Sequence, residues 1–401
     1  MKIAILGFGV VGSGVAEVIE SNRAQIFKRT NQHVEVKYIL DSREISGAVK
    51  DFSVIENDEE VKIIVEAIGG DTIAYDYVKR ALLRGKSVCT PNKALVASHG
   101  AELIALAKKN GCCFLFEASV GGGIPLIRPF NDAMVSIDEV KNVAGILNGT
   151  SNYILTQMSV HGKSYADALS AAQKLGYAEQ DPTADVGSFD ACRKLSIMLS
   201  LAIGKKVDYE KIRTEGIEKI NTEDFAFGNA LGFTLKQLVC GEINHADSSV
   251  EAVAAPFFVP LSHPLAAIND VYNGFWATGK TTGNIMFFGS GAGKLPTASA
   301  VVSNIADAIL GCSHSYEWSN ENVNVLPSED YTFRKIIRVA CDENALDGVI
   351  DSAITLAEFP GFAAWVSPLE TEAETEKSLE KIKSLAGVKS VERVLRIYDA
   401  V

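Results

Sequence analysis

Paired cysteines, basic clusters and long apolar runs are all missing from this chain of 401 residues. Its seven cysteines (Cys89, Cys112, Cys113, Cys192, Cys240, Cys312 and Cys341) are odd in number and show no Cys-x-x-Cys spacing. They read as reduced core thiols of a cytoplasmic protein, which excludes a disulfide framework and a zinc site. The formal net charge is -12 and no basic cluster relieves it, so a nucleic-acid-binding surface is excluded as well. No apolar run reaches the roughly 18 residues of a membrane span, and the chain opens directly on a strand, so neither a membrane segment nor a signal peptide is expected. What is present, 47% hydrophobic and 22% charged residues, describes a soluble globular chain with room for two or three domains.

Residues 2–6 form a short apolar strand, followed by Gly7-Phe8-Gly9-Val10-Val11-Gly12 and a helical run to about residue 27. A G-x-G-x-x-G pattern carries weight in this position, between a first strand and a first helix. Gly7 makes the tight turn, Gly9 lets the backbone approach a pyrophosphate, and Gly12 lets the helix pack on the strand. The helix N-terminus then turns free N–H groups toward the phosphates. The second strand, residues 34–40, ends in Asp41-Ser42-Arg43. An acidic residue there suits the free 2′-hydroxyl of NAD and an arginine the 2′-phosphate of NADP, so both cofactors stay open. Further strands at 63–67, 87–90 and 113–117 alternate with helices at 72–84 and 100–110, the pattern of a doubly wound parallel sheet. Ligands of such sheets lie at the carboxyl ends of the strands, here Ile68-Gly69-Gly70, Thr90-Pro91-Asn92-Lys93 and residues 117–124. Lys93, on its Pro-Asn turn, is either a solvated loop lysine or a substrate or cofactor contact. Glu117, with the bare carbonyls of Val120, Gly122 and Ile124, suits a hard monovalent cation, which prefers oxygen ligands.

The densest chemistry lies in residues 179–194, where Glu179, Asp181, Asp185 and Asp190 precede Arg193 and Lys194 and an apolar run to residue 203. That run has helical spacing, with Asp185 or Ser188 expected as its cap. Asp190 and Lys194 then stand at i and i+4 on one face. An exposed ion pair is the plain alternative; a lysine at the mouth of a buried helix, held by a carboxylate, is instead placed to exchange a proton with a substrate oxygen. Upstream, a strand at 138–147 runs into Asn148-Gly149-Thr150-Ser151-Asn152 and a helix at 153–160. That turn serves as a simple cap or as a seat for a substrate carboxylate. A helix at 165–175 ends at Gly176.

Strand-like runs at 234–243, 249–259, 267–278 and 284–288 imply a mixed or antiparallel sheet and an α+β second domain. Gly289-Ser290-Gly291-Ala292-Gly293 then opens a helix to about residue 310 that returns the chain to the cofactor cleft. Residues 331–401 read β-α-β-β-α-β, with helices at 343–351 and 370–385, a ferredoxin-like unit suited to binding or assembly. The expected division is a nucleotide-binding domain at 1–130 completed by a helix at 294–311, a catalytic α+β domain at 131–293, a linker at 312–330 and the C-terminal unit at 331–401.

Several motifs, in this order, resemble homoserine dehydrogenase over nearly the whole chain. They are Gly7-x-Gly9-x-x-Gly12, Thr90-Pro91-Asn92-Lys93-Ala94-Leu95, the run Glu117 to Pro125, Gly145-Ile146-Leu147-Asn148-Gly149-Thr150-Ser151-Asn152, and Gly289-x-Gly291-Ala292-Gly293-x-x-Pro296-Thr297-Ala298-Ser299-Ala300. Most specific is Leu175-Gly176-Tyr177-Ala178-Glu179-x-Asp181-Pro182-x-x-Asp185 with Asp190 and Lys194 at the family's spacing. One departure is Ser188, where the family usually carries glycine.

The resemblance implies NAD(P)-dependent interconversion of L-homoserine and L-aspartate 4-semialdehyde, on the route to threonine, methionine and isoleucine. It implies Lys194 as proton donor and acceptor, Lys93 as the second active-site lysine, and Glu179, Asp190 and Thr150 at the substrate. Gly176 and Gly291 join Gly7, Phe8, Gly9, Val10, Val11, Gly12, Asp41, Arg43, Gly69 and Lys93 as cofactor contacts, and Glu117, Val120, Gly122 and Ile124 match sodium ligands. The C-terminal unit resembles an ACT domain, though Asp342-Glu343-Asn344-Ala345 replaces its usual Asp-x-Pro-Gly turn, which favours subunit association over effector binding. A homodimer or homotetramer is expected. Two rivals stand beside this reading: another nucleotide-fold oxidoreductase of amino-acid metabolism, and a dinucleotide sensor that binds without reacting. A semialdehyde dehydrogenase would need a nucleophilic cysteine in a persuasive setting with histidine, and the Asp190/Lys194 pair speaks against a mere sensor.

Overall fold

A computed structural model describes residues 1–312 and 316–399, so residues 313–315 of the expected linker and the last two of the C-terminal unit lie outside the described residues. The apolar runs of the first third become five parallel strands in the order Glu35–Leu40, Lys2–Leu6, Val61–Glu66, Ser87–Cys89 and Phe114–Leu115. Ile3, Ala4, Ile5 and Leu6 are all wholly buried, as a strand covered by helices on both faces requires. The helix Val10–Ser21 follows the glycine turn. Gly7 adopts φ +85°, and a side chain at Gly12 would place its Cβ 2.0 Å from the Gly7 carbonyl oxygen. A Cβ at Gly9, by contrast, would meet nothing within 4 Å, so this backbone is bare toward the cleft.

The doubly wound sheet is completed from far along the sequence. The helix Lys294–Ile309 lies against Val10–Ser21, where a side chain on Gly14 would come within 3.1 Å of Ala298 Cβ. Buried Ala298, Val301 and Ile305 form its inner stripe. Asn304 Oδ1 accepts from the Glu117 N–H at 3.0 Å, and Asp307 pairs with Arg29 and Arg128. This return also brings Cys113 and Cys312, 199 residues apart, side by side, with Cα atoms 6.2 Å apart. Spacing along the chain carries no trace of a neighbour made by the returning helix.

The second sheet has eleven strands. From one edge run Gly283–Ser290, Tyr272–Gly279, Val140–Ile146, Phe233–Asn244 and Ser249–Pro260, all antiparallel. Beyond these the strand Val388–Ile397 joins in parallel, through Phe257 opposite Arg396 and Phe258 opposite Ile397, followed by Lys335–Cys341, Phe362–Val366 and Ile354–Thr355. The C-terminal segment therefore extends the second sheet. Its strand order and the helix Glu372–Lys383 follow the expected unit, but the helix expected at 343–351 is a run of turns. Asn344 at φ 63° and Gly348 at φ 68° hold left-handed conformations that no helix tolerates. Residues of the expected linker are also pinned: Ser319–Asn322 pairs with Lys205–Lys206, and Asn324–Val325 with the start of Ser249–Pro260. Among the described residues no helix is long and apolar enough to cross a membrane.

Candidate active site

The helix Phe189–Ile203 is buried along most of its length and packs against both the helix Lys93–Lys109 and the strand Val140–Ile146. Its first turn carries Asp190, 7% exposed, and one turn later Lys194 on the same face. Lys194 Nζ lies 2.8 Å from Asp190 Oδ2 and donates to the Leu147 carbonyl at 2.7 Å, at the end of the strand Val140–Ile146. Lys93 reaches the same carboxylate from the nucleotide-binding unit, with Nζ 2.8 Å from Asp190 Oδ1. Lys93 opens the helix Lys93–Lys109, capped by Asn92, whose Oδ1 accepts from the Leu95 N–H at 3.2 Å. One carboxylate thus bridges two ammonium groups contributed by two different helices. Burial alone would push the Asp190 carboxyl up; the two lysines more than offset this and hold it well below the usual carboxylate range.

Asn148 fixes the other side. Its Nδ2 donates to Asp190 Oδ2 at 2.9 Å and to Asp185 Oδ1 at 2.8 Å, while its Oδ1 accepts from Ser151 N–H and caps the helix Gly149–His161. Asp185 was read from the sequence only as a possible cap. It is instead a second carboxylate of the site, and burial, with Asp190 nearby, pushes its carboxyl up. The capping expectation fails for Ser188 as well. Ser188 occupies the cap position at φ 69°, in the left-handed region where the family's glycine is at ease, and turns its hydroxyl away from the helix to the Glu215 carbonyl at 2.6 Å. Gln237 Nε2 donates to the same hydroxyl.

On the cofactor side, Asp41 Oδ2 accepts from the Phe8 N–H at 2.7 Å, and Arg43 returns onto the same carboxylate through Nε at 2.9 Å and Nη2 at 2.8 Å. The Arg43 side chain first, then the two backbone N–H groups, hold the Asp41 carboxyl well below its usual range. Val10 is exposed at the helix start and Val11 is half-buried behind it. Glu66 accepts from the N–H groups of Ile68 (2.8 Å) and Gly69 (3.1 Å) and from the Thr90 hydroxyl (2.6 Å), which ties two strand ends together. Sequence reasoning passed over Glu66, and only its place at a strand end beside the Gly69-Gly70 turn hinted at the role.

The remaining expected residues are placed less tightly. Thr150 donates to the Tyr177 carbonyl at 2.7 Å, which anchors the exposed turn at Gly176 (φ 75°) beside the helix Gly149–His161. Glu179 is exposed on that turn and is not brought into contact with Asp190. Gly291 is buried, and a Cβ on Gly122 would lie 2.3 Å from the Gly291 carbonyl oxygen, so the loops 120–124 and 289–293 touch through backbone. Glu117 is 2% exposed, and its carboxylate accepts from the N–H groups of Leu126, Ile127 and Arg128 at 2.6–2.9 Å. Three backbone N–H groups thus hold the carboxylate that was expected as a side-chain ligand. The carbonyls of Val120, Gly122 and Ile124 accept no hydrogen bond among the described residues. No cluster of three or more His, Cys, Asp or Glu side chains among the described residues is arranged for a metal ion.

Comparison with known proteins gives the family. A homoserine dehydrogenase NAD-binding domain matches residues 7–117, and a homoserine dehydrogenase domain matches residues 125–306. The homoserine dehydrogenase of Synechocystis is 34% identical over 439 aligned positions, covering 100% of both chains. The chain belongs to the homoserine dehydrogenase family. The Mycobacterium bovis homoserine dehydrogenase is 40% identical and covers 76% of this chain and 71% of its own. The homoserine dehydrogenase structure from Thiobacillus denitrificans superposes with a TM-score of 0.89 at 29% identity, over 100% of this chain and 98% of the other. A hyperthermophilic archaeal homoserine dehydrogenase solved in complex with NADPH matches 77% of this chain and 98% of its own, with a TM-score of 0.64 at 25% identity. As a homoserine dehydrogenase, the protein is an NAD(P)-dependent oxidoreductase acting on a small molecule, and neither a cysteine-dependent dehydrogenase nor a silent sensor is favoured.

Proposed function

We propose that Lys194 is the proton donor and acceptor of this homoserine dehydrogenase, with Asp190 and Lys93 holding it in place. The bound nicotinamide supplies or removes the hydride at the carbon that is the aldehyde of L-aspartate 4-semialdehyde or the alcohol of L-homoserine. In the reductive direction negative charge gathers on the aldehyde oxygen, and the Lys194 ammonium stabilises and then protonates it; in the oxidative direction the amine takes that proton back. The observation that carries this reading is the shared carboxylate, 2.8 Å from each lysine, which fixes two otherwise flexible side chains at the boundary of the two sheets. Lys194→Ala is expected to abolish turnover while nucleotide binding, followed by NADPH fluorescence, persists. Unchanged turnover would falsify the assignment.

Asp185, Glu179 and Thr150 form the substrate side, with carboxylates suited to the amino acid's ammonium group. Asp41 is neutralised by Arg43, whose side chain is 61% exposed beside the glycine turn, so the pocket takes the 2′-hydroxyl of NAD and offers a guanidinium to the 2′-phosphate of NADP. A monovalent cation such as Na+ would be held by the carbonyls of Val120, Gly122 and Ile124 with Glu117 as the scaffold beneath. The C-terminal, ACT-like unit braces the catalytic sheet and favours assembly, and the open edge at Gly283–Ser290, with Tyr272 and Phe288 exposed, suits a homodimer or homotetramer. The reaction lies on the route to threonine, methionine and isoleucine.

A further inference from the structure

Asn273 lies beneath the loop of residues 289–293 and is 1% exposed, yet neither its Oδ1 nor its Nδ2 has a hydrogen-bond partner among the described residues. It stands on the strand Tyr272–Gly279, opposite Gly289. A Cβ on Gly291 would lie 2.0 Å from the Asn273 amide carbon, so the glycine is required and the bare Gly291 backbone rests on the amide plane. From the other side the Gly291–Ala292 peptide meets Gly122. A primary amide offers two donors and an acceptor, and burying all of them unpaired is costly. Such a group in a folded protein calls for a partner that arrives later.

We propose that Asn273 is a positioning residue for cofactor binding: its amide gains hydrogen bonds to the backbone of the 289–293 loop when that loop settles on bound NAD(P). The free protein carries the unpaired amide; the loaded protein does not, and the difference adds to cofactor affinity. This rests on Gly291 being a cofactor contact. Among the described residues Asn273 is the one side chain whose two polar atoms are both buried and unpaired.

The test uses the full-length protein with Asn273→Leu, close in volume and unable to hydrogen-bond, and with Asn273→Ala as a second variant. Melting without cofactor is expected to stay level or rise, since an unpaired polar group has been removed. NADPH affinity, measured by fluorescence titration, is expected to weaken about tenfold, the worth of roughly one hydrogen bond, with KM for the cofactor raised and kcat little changed. A lower melting temperature without cofactor together with wild-type NADPH affinity overturns the proposal, because the amide is then satisfied in the free protein by buried water. Wild-type affinity at unchanged or higher melting temperature overturns it too. Hydrogen exchange on the wild-type protein separates the premise: if NADPH binds without protecting residues 289–293, Gly291 is no cofactor contact and the proposal falls with it. Protection there with wild-type affinity in both variants removes the role of Asn273 alone.

Discussion

Two neighbouring carboxylates are driven in opposite directions by their surroundings. Asp190 has two ammonium groups within 2.8 Å, whereas Asp185 has burial, and then the charge of Asp190, against it, which the Asn148 amide donor only partly offsets. A carboxyl whose folded pKa lies above its unfolded value takes up protons on folding, so its charged form costs stability above the folded pKa. That cost vanishes below the unfolded value of 3.8. Asp185→Asn keeps the shape and can still accept from Asn148. It is expected to raise the melting temperature at neutral pH, with the gain shrinking on acidification and gone below about pH 4. kcat/KM should fall about a hundredfold if the carboxylate positions substrate. Melting curves from pH 3 to 8 beside steady-state kinetics check both halves, and a pH-independent gain would show that the charge of Asp185 is not its origin.

The active-site helix begins at a residue whose backbone and side chain pull against each other. Ser188 at φ 69° sits where a Cβ costs about 1–2 kcal/mol, which a glycine would relieve. Its hydroxyl, however, serves both the Glu215 carbonyl and the Gln237 amide in a fully buried setting, and each buried group left unpaired costs about 1–3 kcal/mol. The second effect is larger, so Ser188→Gly is expected to lower stability by about 1–3 kcal/mol net although it restores the residue usual in the family. Chemical denaturation measures it; a more stable variant would mean that backbone strain dominates. The helix itself, its length and the i, i+4 relation of Asp190 and Lys194 were legible in the sequence. The missing cap was not, because the side chain's partners come from residues 215 and 237, which no local pattern connects to the turn.

The whole molecule is tied together by charges that cross from residues 215–224 to the C-terminal unit. Asp224, fully buried, accepts from Arg338 Nη2 and from Arg393 Nε, each at 3.0 Å, and Arg396 pairs with both Glu215 and Glu372. Removing the partner of a buried charge typically costs about 3–5 kcal/mol. Deleting residues 331–401 would strip Asp224 of both arginines and bare the edge of Ser249–Pro260, where Phe257 and Phe258 are now buried. The truncated protein is expected to melt far lower than the full chain and to aggregate through the opened edge. Thermal melts with light scattering decide this; a truncated form as stable and monodisperse as the full chain would show that the unit is an appendage.

The sequence by itself determined the nucleotide fold, the helix that carries Asp190 and Lys194, and the family, because these rest on patterns a few residues long: a glycine turn between strand and helix, a 3.6-residue apolar stripe, a carboxylate one turn before a lysine. Only the tertiary structure decided that Lys93 shares Asp190 with Lys194, that the Glu117 carboxylate accepts from backbone N–H groups, that Cys113 meets Cys312, and that the C-terminal strands continue the second sheet. Each of these joins segments from 9 to 199 residues apart. Such pairings are set by which surfaces the folded layers bring face to face, and a linear pattern of residue types holds no record of that.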